Sequence, residues 1–165
     1  MKSYIFLLFC FGFLVTGCIK PETYDDVPKI TNVTVSSNYV QSLETFFVTI
    51  YFEDGDGDLG EKDINSKENC FLYDERPNIV EINADTLAYN IPFIEENGSI
   101  EDIKGSIEIK VNTCCAHVIA PCIQPAEYPD TDTVVYRIKI VDRAGNESNE
   151  TEEFYSPPII VVCVE

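Results

Sequence analysis

The sequence predicts an all-β protein: one antiparallel β-sandwich of seven or eight short strands, after a signal peptide and a short tether. Three observations carry that prediction. From Lys29 onward, apolar residues recur with a period of two rather than 3.6. Turn-forming Asn, Asp, Gly and Pro separate the apolar runs at short intervals. No window of ten or more residues shows a helical stripe. A chain of 165 residues holds one such domain plus appendages rather than two full domains.

The clearest strand has Phe46, Val48, Ile50 and Phe52 alternating with Phe47, Thr49, Tyr51 and Glu53, the pattern of a half-buried strand. Ile103, Ile107, Ile109 and Val111 form a second, with Glu108 and Lys110 between them. Val134, Tyr136, Ile138 and Ile140 form a third around Arg137 and Lys139. On these patterns Tyr51 and Tyr136 read as packing residues. Weaker candidates are Ile30–Ser37, Cys70–Tyr73, Ile79–Ile82, Thr86–Phe93 and Ile159–Val164, the last entered through Pro157 and Pro158. Labelled in immunoglobulin fashion, Phe46–Glu53 becomes strand B and Thr133–Val141 strand F. There is no Trp and neither strand carries a cysteine, so both hallmarks of antibody domains are missing.

Met1 and Lys2 precede an apolar run from Tyr4 to Val15, too short to span a bilayer but long enough for a signal-peptide core. The run ends in Val15-Thr16-Gly17-Cys18, which resembles the bacterial lipobox. That resemblance implies cleavage of residues 1–17 and acylation of Cys18. Two or more acyl chains give stable anchoring. Residues 18–28 then form a solvated, acidic tether with Pro21 and Pro28, and residues 29–165 form the domain. A lysine followed by acids after the lipidated cysteine resembles the surface-export signal of Bacteroidota lipoproteins.

The chain has 29 Asp and Glu against 11 Lys and Arg, a formal charge of −18. That balance excludes nucleic acid as a partner, because phosphate contacts need clustered Lys and Arg. It suits hard cations. The acids concentrate where the first clear strand ends, in Asp54-Gly55-Asp56-Gly57-Asp58-Leu59-Gly60. Glycines between the carboxylates let the backbone curl so that Asp54, Asp56 and Asp58 converge on one point. Calcium takes six to eight oxygens of this kind. The loop is not an EF-hand, because glycine falls at its seventh position and Asn65 at its twelfth. A second polar turn, Asp142 to Asn149, follows strand F. In an immunoglobulin-type sandwich the B–C and F–G loops share one end, which would bring Asp142 and Asn146 to the same ion. The simpler reading of both segments is plain turns, since Asp-Gly and Gly-Asn are favoured turn dipeptides.

Together, DGDGDLG, DRAGNESNE, the closing PPIIV, the lipobox and the KPETYDDVPKI tether resemble small Bacteroidota cell-envelope lipoproteins with an Ig-like or cadherin-like domain. The resemblance implies a secreted sandwich at the outer membrane, with structural calcium in the acidic loop. It carries no settled activity.

Cys10 would leave with the signal and Cys18 would be acylated, so five cysteines remain. In an exported protein they favour disulfides, with one left over. The expected bridges pair Cys114 or Cys115 with Cys122, and Cys70 with the other of the adjacent pair. A zinc set of Cys114, Cys115, His117 and Cys122 fits no common spacing. No G-x-S-x-G elbow, H-E-x-x-H or P-loop is present. The leading expectation is therefore a lipid-anchored binding or accessory module contacting an envelope protein or glycan. The alternatives are a passive structural subunit of an outer-membrane complex, or an unrecognised hydrolase. An exposed row of Tyr73, Tyr89 and Tyr128 would favour a glycan.

Overall fold

A computed structural model describes residues 23–63, 67–76, 86–94, 102–112, 130–149 and 156–163 of the chain. The expected Ile79–Ile82 strand, the signal and Cys18, and Cys114, Cys115 and Cys122 lie outside these residues. The described chain is all-β, with nine strands: β1 (Lys29–Val35), β2 (Tyr39–Gln41), β3 (Thr45–Asp54), β4 (Cys70–Asp74), β5 (Thr86–Tyr89), β6 (Ile103–Asn112), β7 (Thr131–Val134), β8 (Tyr136–Ile140) and β9 (Ile159–Val162).

They form three three-stranded sheets, ordered β1-β3-β6, β2-β9-β7 and β5-β4-β8. Five of the six pairings are antiparallel, and β2 runs parallel to β9. The alternation of β3 sets its ten-residue ladder with β6, from Thr45 opposite Asn112 to Asp54 opposite Ile103. Phe46, Val48, Ile50 and Phe52 point inward, because a strand turns successive side chains to opposite faces. Tyr51, on the other face of β3, is 39% exposed, so it is a surface aromatic and not the packing residue the alternation suggested. Tyr136 is fully buried and stacks on Phe46, with ring centroids 6.4 Å apart. Such a pair contributes about 0.5–1.5 kcal/mol beyond its area.

All three sheets feed one hydrophobic core, which takes Ile30 and Val33 from β1, Val40 from β2, Leu72 from β4, Val111 from β6, Ile138 from β8 and Ile159 from β9. The strand expected across Val134 to Ile140 is split at Val135. Before that residue β7 pairs with β9, and after it β8 pairs with β4. β2 has three residues and no readable period, and the sequence did not reveal it. Two serines finish the free edge of β8: Ser148 and Ser156 each accept through Oγ from the amides of Ile140 and Tyr136. Those amides would otherwise be buried donors without a partner.

The disulfide expectation needs correction. Cys70 is a free thiol, fully buried on the inward face of β4 beside Leu72. Burial pushes that thiol up to about 12, because a thiolate there would lose its hydration. Cys70 therefore acts as a small apolar core residue, and no two described cysteines are joined. Cys163, which the expected pairing omitted, is disulfide-bonded.

Candidate metal centre

The β3–β6 ladder ends at Asp54, and the chain then curls through the acidic loop. Gly57 and Gly60 take positive φ of 66° and 87°, a region that L side chains rarely occupy. At Gly60 a side chain would also collide with the carbonyl oxygen of Pro92. The curl has a direct consequence for the acids. One carboxylate oxygen from each of Asp54, Asp56 and Asp58 lies within 4.8 Å of the others.

Each of those three residues has a buried Oδ1 with no hydrogen-bond partner among the described residues. Asp54 is fully buried, and its other oxygen accepts from the amide of Leu59 at 3.1 Å. The second oxygen of Asp58 accepts from the amide of Ala144 at 3.0 Å. In both, one oxygen is therefore tied to the backbone while the other is left bare. Buried polar atoms almost always find partners, so three bare oxygens in one loop form a place that could hold a cation.

Electrostatics agrees with geometry. The Asp54 carboxyl is raised to about 7, first by burial and then by the neighbouring Asp56 charge, with Asp58 and Asp142 adding to it. Asp58 is raised as well, by burial and then by Asp142 and Asp56. Among the described residues no ion pair involves the three acids. The group can chelate a divalent metal ion through oxygen ligands alone, the donor set of hard cations.

The second polar turn packs against this loop. Arg143 donates from its amide to the Asp58 carbonyl at 3.4 Å and from Nη1 to the Gly60 carbonyl at 2.9 Å. Asp142 is buried, and its two oxygens are taken by Asn146. The Asn146 amide donates to Oδ1 at 2.7 Å, and its Nδ2 donates to Oδ2 at 2.8 Å. Asp142 is thus not among the three converging carboxylates, and both of its oxygens accept from Asn146. Asp142 contributes charge to the centre. Of the aromatics considered for a glycan, Tyr73 and Tyr89 are half-buried, and Tyr128 lies outside the described residues.

Two further features had no signal in the sequence. Tyr24 and Asp25 cross directly over Gly55, where a Cβ would lie 2.6 Å from the Tyr24 carbonyl oxygen. Farther away, Arg76 is buried between Asp74 and Asp132. Compared with protein-family models, curated proteins and solved structures, the chain matches none.

Proposed function

We propose that the protein is a lipid-anchored extracytoplasmic binding or accessory module whose Ig-like β-sandwich carries a structural calcium ion in the Asp54–Asp56–Asp58 loop. The observation that carries the calcium reading is the set of three buried, unpartnered carboxylate oxygens gathered by one loop. Carboxylates and nearby carbonyls suit calcium, whose coordination is large and irregular. Magnesium demands near-ideal octahedral geometry and gives up its waters reluctantly. A structural role follows from position, because the amides of Leu59 and Ala144 donate to the Asp54 and Asp58 carboxylates and so close the loop.

The Ig-like reading is supported by strand order. β7 and β8 are separated by Val135 alone, so they can serve as two halves of one strand F. That joins β2-β9-β7 and β8-β4-β5 into one layer opposite β1-β3-β6, with strand B in β3 and strand C in β4. The anchor rests on the lipobox-like Val15-Thr16-Gly17-Cys18 and places the module at the outer membrane, where an envelope protein or a glycan would be its partner. The reading assigns the chain no catalysis.

The test is thermal unfolding of chelator-treated protein. Millimolar calcium should raise the melting temperature, magnesium at the same concentration should raise it much less, and Asp56→Asn with Asp58→Asn should abolish the response. An unchanged melting curve in calcium would remove the metal reading. Radiolabelled palmitate, incorporated by the wild type and lost in Cys18→Ser, tests the anchor.

A further inference from the structure

We propose that a cation in the acidic loop locks the N-terminal segment Thr23–Pro28 onto the domain, so that occupancy of the site sets whether this segment is docked or loose. The inference rests on the cation reading above.

Tyr24, Asp25, Gly55 and Asp102 form a closed ring held by three hydrogen bonds. The Gly55 amide donates to the Asp25 carbonyl at 2.8 Å, and the Gly55 carbonyl accepts from the Asp102 amide at 2.7 Å. The ring closes where Asp102 Oδ1 accepts from the Tyr24 amide at 2.6 Å. Lys104 reinforces it from one side, with its ammonium 5.8 Å from the Tyr24 ring centroid and 2.7 Å from Glu53 Oε1. Asp102 holds a positive φ of 59°, a conformation that Asp tolerates better than most residues but at some cost. Here its carboxylate is the group that clamps the incoming chain.

Gly55 sits between Asp54 and Asp56, two of the three residues of the metal centre. Both of its backbone polar groups belong to the ring, and its missing side chain is what admits Tyr24 and Asp25. Without a cation, the three carboxylates repel one another, and the peptide planes that carry them move apart. Any such movement shifts the Gly55 amide and carbonyl, and with them the seat of the segment. With a cation, the planes are fixed and the segment has a rigid seat. Linkage makes the effect reciprocal: docking of Tyr24 and Asp25 raises cation affinity by the factor by which the cation favours docking. In a chain anchored at Cys18, the device would fix how the domain stands on its tether.

The experiment uses the full chain and residue-resolved amide exchange with calcium or with chelator, alongside calorimetric titration of calcium. Calcium should slow exchange at Tyr24 and Gly55 about tenfold, within the usual range of coupling, and more than at Ile50 in the middle of β3. Asp102→Gly keeps the positive φ and removes the clamp. It should lose the slowing at Tyr24 and weaken calcium binding by a similar factor. Asp102→Asn keeps an oxygen acceptor and should behave as wild type. Calcium binding with unchanged Tyr24 exchange overturns the coupling and leaves the metal centre standing. Equal slowing at Tyr24 and Ile50 overturns it too, since that is global stabilisation. The absence of any calcium heat overturns both readings.

Discussion

Two buried clusters of acids in this molecule meet the same physical problem in opposite ways. At the end of β4, Asp74 is fully buried, and Arg76 reaches it with Nε and Nη2 at 2.6–3.1 Å while Nη1 holds Asp132 at 2.7 Å. At the end of β3, Asp54 is equally buried, with Asp56 and Asp58 beside it and no guanidinium or ammonium paired with them among the described residues. The two lie at different ends of the β4–β8 ladder, where Asp74 faces Tyr136 and Cys70 faces Ile140, two residues before Asp142. Burying carboxylates is costly unless a cation accompanies them. The first cluster carries its cation in the sequence. The second has none paired with it among the described residues and could take one from solution.

That difference predicts opposite responses to mutation. Arg76→Ala leaves Asp74 buried without its partner and should destabilise the protein by about 3–5 kcal/mol in urea unfolding. Neutralising an acid there, as in Asp74→Asn, should also destabilise. In the metal loop under chelator, Asp56→Asn should be neutral or stabilising, since it relieves repulsion. If both neutralisations destabilise in chelator, the loop is held by some internal partner and the contrast fails.

The next effect is ligand-dependent. Wild-type protein in calcium at a hundred times its dissociation constant should gain about 2.7 kcal/mol over chelator, and Arg76→Ala should gain the same amount from its lower baseline. Unequal gains would mean that the two clusters are coupled, although sites far apart and without shared partners should add.

These features were unequally legible in the sequence. Strict alternation exposed β3, and the contiguity of Asp54, Asp56 and Asp58 exposed the candidate metal loop, because the glycines between them permit the positive-φ curl that brings the acids together. The ligand roles expected of Asp142 and Asn146 depended on where two short side chains point, and a four-residue turn lets Asn146 occupy both oxygens of Asp142. The ring at Gly55 joins residues 78 positions apart largely through backbone groups, which have no residue signature. Cysteine counting likewise treats Cys70 as a thiol in search of a partner, whereas its place on the inward face of β4 makes it a core residue.

Acidity should separate the clusters again. The Asp54 carboxyl titrates at about 7 in the fold against about 3.9 in an unfolded chain. Between those values the folded state holds a proton that the unfolded state has released. Stability in chelator should therefore fall as pH rises from about 4 to about 7, and level off above that. Asp58 shares in the effect, since burial, Asp142 and Asp56 raise its carboxyl while the Ala144 amide and Arg143 partly offset them. The difference in slope between wild type and Asp54→Asn isolates it, and saturating calcium should flatten the wild-type curve. A wild-type slope that is unchanged by Asp54→Asn would assign the titration elsewhere.

The smallest effect belongs to the residue next to Asp74. Successive side chains of an extended chain point to opposite sides, so Asp74 is buried while Glu75 is exposed. Glu75 pairs with Arg137 at 2.8 Å, with both side chains substantially in water. Arg137 also lies 4.1 Å from the Tyr73 ring centroid, a contact that does not need Glu75. Water screens the pair, and each side chain gives up rotamer freedom to form it, so exposed pairs contribute about 0.2–1 kcal/mol at most. Glu75→Gln should therefore shift urea unfolding by less than about 0.5 kcal/mol, and the shift should vanish in high salt. A loss comparable to that of Asp74→Asn would mean that charge near the end of β4 matters whatever its burial. Desolvation would then not be what distinguishes the cluster with its own arginine from the loop without one.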